Sequence, residues 1–163
     1  MFGDMHELAL RSGQLRSLAE TSRTGATRLV ARVDSLWVSS AASAYSAKLS
    51  GHARDLRASA TDLEAAAAAI DAHIAAVEEA RRQIAEAERW VGERWNDAQH
   101  LLRNVVETVE DTAAGVFEFF GQKVPSALVH ESRDILRTVP SLPGPGEPEW
   151  LELAARFRNR GWT

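Results

Sequence analysis

Residues 49–91 read LSGHARDLRASATDLEAAAAAIDAHIAAVEEARRQIAEAERWV, and every seventh residue of this stretch is aliphatic. These seven positions are Leu49, Leu56, Leu63, Ile70, Val77, Ile84 and Val91. A seven-residue spacing places them all on one side of an α-helix. Such a helix spans about 60 Å, and it cannot bury this row of side chains by itself. The repeat therefore predicts a long helix that packs against other helices.

Small residues lie next to this row along the same helix. They are Ala53, Ala60 and Ala67 at one offset, and Ala66, Ala80 and Ala87 at another. The distance between two packed helices depends on the size of the side chains at their contact. The alanines therefore predict that the packed helices approach each other closely.

Residues 4–36 form a second amphipathic pattern, which predicts the first helix of the chain. Asp4 and Glu7 make a capping-box pattern at its start, and Ser39 or Ser40 can cap the long helix that follows. Because the connection is short, we expect the two helices to pack antiparallel. The prediction places Leu8, Leu15, Leu29 and Val33 opposite Leu49, Leu56, Leu63 and Ile70.

The predicted fold is all-α: an elongated antiparallel helical hairpin with a C-terminal helical extension. Its segments are a hairpin over 4–91, a helical extension over 92–138, a Pro/Gly linker over 139–147 and a C-terminal helix over 148–160. The pattern predicts that residues 94–120 are helical, with Gly92 as a point of bending or interruption. The first helix is too short to cover Val77, Ile84 and Val91, for which we expect a second chain. Fold-back of the C-terminal helices is the alternative.

Composition excludes several classes of function. The absence of cysteine excludes disulfides, cysteine-ligated zinc and thiol chemistry. The formal net charge is −4, with 19 basic and 23 acidic residues interspersed, so we expect no nucleic-acid partner. The sequence contains no run of 18 apolar residues, so we expect no membrane span. Charged residues near the N-terminus argue against a signal peptide. Abundant alanine and arginine are typical of a GC-rich bacterial genome.

The titratable residues do not form an enzyme-like pattern. His52 and His73 are 21 positions apart on one helix, too far to share a metal. Asp97 and His100 make one Asp-x-x-His pair, whereas a di-metal helical bundle needs two such pairs and further carboxylates. His130 and the glutamate after it lack the second histidine of a zinc-protease helix. We therefore expect no enzymatic activity, no metal and no cofactor.

The segment from Trp37 to Tyr45 reads WVSSAASAY. It resembles the turn of the WxG-motif (ESAT-like) family of small type VII (ESX) secretion proteins, with an alanine-aromatic pair ending eight positions after the tryptophan. Ser39 stands where the motif usually has glycine. The resemblance covers residues 4–90 and implies a helical hairpin whose turn is anchored by Trp37.

The resemblance also implies a function. It implies a non-enzymatic type VII secretion substrate, or the partner of one, that pairs with another helical hairpin as a hetero- or homodimer. The 49–91 row would supply the interface, and the pair would meet the export machinery or carry an effector or toxin. Secretion would follow a route that needs no signal peptide. Tyr45 is the only tyrosine and Leu49 follows it at the acidic position, so the family's Tyr-x-x-x-Asp/Glu signal is missing.

Two other functions remain open from the sequence. One is a cytoplasmic structural coiled-coil or adaptor protein, which the neighbouring genes would distinguish from a secretion protein. The other is a membrane-active secreted effector that uses residues 101–120, where the FEFF cluster starts at Phe117. A liposome-leakage assay addresses the latter.

Overall fold

Helices dominate the structure, a computed structural model that describes residues 5–32, 39–106, 116–119 and 122–162. The helices are α1 (Met5–Ala31), α2 (Ser40–Asn104), α3 (Ser126–Thr138) and α4 (Glu149–Arg160). The short strands are β1 (Val105–Val106), β2 (Val116–Phe119) and β3 (Gln122–Pro125). The predicted all-α class is confirmed, with one small sheet as an addition to it.

The sheet corrects the prediction that residues 94–120 are helical. Helix α2 ends at Asn104, and β2 pairs antiparallel with both β1 and β3, so that Val105 lies opposite Phe119. Valine and phenylalanine pack well in extended chains, which is the physical reason why a helical prediction fails for such a segment. The extension predicted over 92–138 is therefore helix, sheet and helix in turn.

The chain divides into two compact units, Met1–Glu78 and Glu79–Thr163. Helix α2 contributes its first part to one unit and its remainder to the other. The division falls before the position 91 at which we expected the hairpin to end. Gly92 does not interrupt the helix, since α2 continues through it to Asn104.

In the first unit, α1 and the beginning of α2 form an antiparallel hairpin. The Ser12 hydroxyl donates to Asp71, whereas Gly25, further along α1, lies beside Leu56, which is earlier in α2. Residues further along α1 thus contact residues earlier in α2, which confirms the predicted antiparallel arrangement. Three predicted features, the Trp37 turn, the Asp4 cap and the contact of Val33, lie outside the described residues.

Ser39 caps α2, as one of the two predicted alternatives. Its hydroxyl oxygen accepts a hydrogen bond of 3.1 Å from the backbone N–H of Ala42. An N-cap serine satisfies in this way one of the four N–H groups that a helix leaves unpaired at its start. The cap therefore fixes where the long helix begins.

The second unit has a core of its own, centred on Phe157. The Phe157 ring meets Trp90 and Trp162 edge-on, with ring centroids 6.1 and 4.7 Å apart. Ile84 and Val91 are buried in the same cluster, together with residues of the C-terminal helices. The expectation that a second chain covers these two residues is therefore wrong. The C-terminal part of this chain folds back over them, which was the alternative.

The segment predicted as a Pro/Gly linker packs against the helices of its unit. The Trp95 indole N–H donates to the Val139 carbonyl at 2.9 Å, and the Trp150 indole N–H donates to the Gly144 carbonyl at 2.8 Å. Tryptophan is suited to this role because its large apolar ring carries one polar N–H group. The 139–147 segment is thereby held at two points.

Helix α4 matches the predicted C-terminal helix and ends in a Schellman motif. Gly161 has a φ of +73° and donates to the Arg158 carbonyl, while the N–H of Trp162 donates to the Phe157 carbonyl. Glycine adopts this left-handed conformation without a steric penalty. The motif turns Trp162 back onto Phe157 and so completes the core.

Candidate functional site

The contact between α1 and α2 is lined by small residues. We call this contact the alanine seam; it consists of Ser12, Ala19 and Ala26 from α1 and Ala53, Ala60 and Ala67 from α2. All five alanines have an exposed fraction of 0%. Residues of this size at a helix contact permit a short distance between the helix axes. The centre of the hairpin is thus the alanine row, not the predicted aliphatic row.

The predicted aliphatic row lies beside the seam. Leu49 is buried, but the four residues that follow it in the row are half-buried: Leu56, Leu63, Ile70 and Val77. In α1 the corresponding half-buried residues are Leu8, Leu15 and Leu29. The leucines therefore lie beside the line of contact, which the alanines occupy.

The half-buried leucines of both helices lie on one side of the hairpin. Leu15 comes three residues after the seam residue Ser12, and Leu56 comes three residues after Ala53. In an antiparallel pair, equal offsets from the contact line bring both sets to the same side. Gly25 confirms this arrangement, because a Cβ placed on it would lie 3.6 Å from Leu56 Cδ1. We call this side the leucine face.

The opposite side of the seam carries ion pairs between the helices. Arg16 pairs with Asp71 and Arg23 pairs with Glu64. Each of these residues comes four positions after a seam residue, which places them across the seam from the leucine face. Ser12, within the seam, donates to Asp71 Oδ1 at 2.6 Å. The two ion pairs between the helices thus lie on one side of the seam and the half-buried aliphatic row on the other.

These contacts lower the pKa of both carboxyl groups. The hydrogen bond from Ser12, followed by that from Arg16, lowers the pKa of Asp71. The hydrogen bond from Arg23 lowers the pKa of Glu64, and the same contact raises the pKa of Arg23. Hydrogen bonds and nearby cations favour the ionised carboxylate. Both carboxylates therefore stay charged at neutral pH.

The lowered pKa values predict that acid weakens the hairpin. A carboxyl group with a lower pKa in the folded state stabilises it fully above its ordinary value, about pH 4–4.5. That contribution is lost as the pH falls through the lowered pKa. We therefore expect the difference in melting temperature between the wild type and the double variant Asp71→Asn with Glu64→Gln to shrink between about pH 6 and pH 3. A difference that is constant with pH would contradict the prediction.

Two exposed side chains extend the leucine face. Leu18 is 55% exposed and lies three residues after Leu15; Tyr45 is 61% exposed and lies three residues after the buried Ala42. Contiguous apolar surface of this kind marks interaction sites more often than isolated exposed residues do. The leucine face together with these two residues is the candidate interaction surface. Of the predicted turn residues, Tyr45 lies on this surface and Ser39 caps α2.

The part of the chain that the structure describes shows no site for a metal ion. No three histidine or acidic side chains converge there. Within the same residues, no helix is both long and apolar enough to cross a lipid bilayer.

The sequence-based prediction missed the polar residues that join the two helices. These are Ser12, Arg16, Arg23, Glu64 and Asp71. A signal was present: two arginines seven residues apart in α1 and two acidic residues seven apart in α2 have opposite charge. Spacing by seven is the pattern of neighbouring ion pairs along a pair of packed helices.

Comparisons of this chain with protein-family models, with curated proteins and with solved structures find no match. A row of half-buried aliphatic side chains on two adjacent helices is complementary to another aliphatic helical surface.

Proposed function

We propose that this chain is a non-enzymatic type VII (ESX) secretion substrate, or the partner of one, and that it acts by pairing with another helical hairpin. The observation that supports the proposal is the leucine face. It is an aliphatic row on a preformed pair of helices, extended by exposed Leu18 and Tyr45.

The dimensions of the leucine face suit a helical partner. From Leu56 to Val77 the row covers 21 residue steps of α2, or about 30 Å. A second hairpin laid along this row would make a four-helix arrangement with the aliphatic residues at its centre. Completing the burial of each half-buried leucine contributes about 1 kcal/mol, so that a row of them supports a specific complex.

The resemblance of residues 37–45 to the type VII turn motif supplies the secretion part of the proposal. Ser39 caps α2, and Tyr45, six residues later, presents its ring to solvent on the side of the leucine face. Since the chain lacks Tyr-x-x-x-Asp/Glu, the partner hairpin would carry that signal. The pair would then be exported together, with or without an effector or toxin.

A binding experiment tests the pairing. Hairpin proteins encoded beside this gene are purified with the wild type and with the double variant Leu63→Asp plus Ile70→Asp. Two unpaired charges at the interface are expected to weaken binding at least about 100-fold. The matched control, Ala58→Asp plus Ala65→Asp, adds the same charges at exposed positions of α2 away from the leucine face, and it should bind normally. Circular dichroism verifies that both variants stay folded.

A secretion experiment tests the route. Deleting the partner, or introducing the Leu63→Asp plus Ile70→Asp pair, should retain the protein in the cell. Secretion that persists after both changes contradicts the partner mechanism. A protein that never leaves cells with an active secretion system supports the cytoplasmic adaptor, and leakage of liposomes supports the membrane-active effector.

A further inference from the structure

The alanine seam repeats every seven residues, so more than one alignment of the two helices preserves it. Ser12 lies at Ala67, whose carbonyl oxygen is 3.4 Å from the Ser12 hydroxyl oxygen. Steps of seven then place Ala19 opposite Ala60 and Ala26 opposite Ala53. If α1 moves by one heptad toward the C-terminal end of α2, Ala19 meets Ala67 and Ala26 meets Ala60. Small residues would again face small residues at these two positions.

Both ion pairs find opposite charge again after this movement, but only in one direction. After a shift toward higher α2 numbers, Arg16 meets Glu78 and Arg23 meets Asp71, both with opposite charge. After the reverse shift, Arg23 meets Arg57, which has like charge. Like charges across helices are destabilising. The charge pattern therefore permits one alternative alignment and disfavours the other.

Ser12 distinguishes the observed alignment from the alternative one. It is only 1% exposed; its hydroxyl donates to Asp71 Oδ1 at 2.6 Å and accepts from Arg16 Nη1 at 2.8 Å. Three other hydroxyls of α1 donate to the carbonyl four residues before them: Thr21, Ser22 and Thr27. In the shifted alignment Ser12 would face Ile74 and lose Asp71. Single polar residues at helix contacts are known to select one register.

We propose that the hairpin has two registers one heptad apart, and that the hydrogen bond from Ser12 to Asp71 selects the observed one. The shift amounts to about 10.5 Å along the helix. In the shifted register Ala31 lies level with Asp55, about 24 Å from Ser40 once the separation of the two helices is included, and the eight residues between Ala31 and Ser40 can span roughly 26 Å when extended. The aliphatic residues of α2 also repeat every seven, so a leucine face exists in both registers, with the leucines of α1 moved along it.

Distance measurement between two spin labels tests the proposal, independently of any partner. The chain has no cysteine, so Gln14→Cys plus Lys48→Cys supplies two unique labelling sites, both exposed. The full chain is diluted with unlabelled protein so that only distances within one chain are recorded. The two sites are separated along the helix axis, so the shifted register lengthens their distance by about 10 Å.

The Ser12→Ala variant removes the selecting hydroxyl and keeps every ion pair of both registers. We expect the population with the longer distance to increase at least about tenfold relative to the population with the shorter one. The reason is that hydrogen bonds to charged groups are stronger than neutral ones. The further substitution Glu78→Lys places like charge opposite Arg16 in the shifted register only. It should remove the population with the longer distance again. Ser22→Ala is the matched control and should leave the wild-type distance unchanged.

Three outcomes overturn the proposal. One is a Ser12→Ala distance distribution identical to that of the wild type. Another is a longer distance that persists with Glu78→Lys. The third is loss of helix in Ser12→Ala, because the proposal requires a second register that holds the two helices together.

Discussion

Replacing Phe157 with alanine is expected to lower the free energy of unfolding of the second unit by about 3–5 kcal/mol, the cost of deleting a fully buried aromatic ring. The ring has no exposed surface and contacts both Trp90 and Trp162. A unit of this size is stabilised by about 5–15 kcal/mol in total, so one substitution removes a large part of its stability.

Thermal unfolding followed by calorimetry measures this effect. The matched control is Leu151→Ala on the same helix, because Leu151 is 37% exposed and its removal leaves no comparable cavity. We expect the transition of the second unit to move to a much lower temperature for Phe157→Ala than for Leu151→Ala. Equal shifts in the two variants would show that Phe157 is not the centre of this core.

Placing leucine at two facing positions of the alanine seam is expected to separate the helices of the first unit. Ala19 and Ala60 lie opposite each other, and neither side chain has exposed surface. Overpacking costs about 1–3 kcal/mol for each inserted side chain, and two leucines at the same point of contact compete for one space. The Ala19→Leu plus Ala60→Leu variant should therefore lose more than the sum of the single variants.

Urea unfolding of the double variant, both single variants and a control quantifies this effect. The control Ala58→Leu adds the same side chain at an exposed position of α2, where it should leave the unfolding midpoint nearly unchanged. A hairpin that accepts both seam leucines without loss of stability would mean that its helices are not closely packed there.

The sequence predicted the hairpin correctly but misplaced its centre. The seven-residue aliphatic row identified α2 and the antiparallel packing, because the period of a helix depends only on its geometry. The aliphatic row predicts large apolar residues at the centre, since they gain most from burial. At a very close contact, however, only small residues such as Ala60 fit between the helices, and Leu63 lies beside the contact.

The second unit shows what periodicity alone omits. The aliphatic row continues through Ile84 and Val91 but contains no information on which element covers them. That depends on how the 139–147 segment turns, and two indole N–H groups hold this segment in place. A spaced set of tryptophans around a glycine-rich segment was the available signal. The strands were missed because a run such as Val105–Val106 also fits a helical face.

The candidate surface was predicted in part. The aliphatic row and Tyr45 were recognised, whereas the contribution of α1 to the same face was not. The missing information was the number of residues that separates each side chain from the preceding seam residue. This number is three for the leucines and four for the charged residues. Offsets of three and four fall on opposite sides of a contact line, and this becomes evident only when the residue at the line is known.

The uneven distribution of tryptophan gives the two units separate spectroscopic signatures. Of five tryptophans, only Trp37 belongs to the first unit; the other four are Trp90, Trp95, Trp150 and Trp162. Intrinsic fluorescence is therefore dominated by the indoles of the second unit, while far-ultraviolet circular dichroism reports the helices of both. Divergence of the two melting curves measures directly how far the units unfold independently, because two-state unfolding requires that different probes coincide.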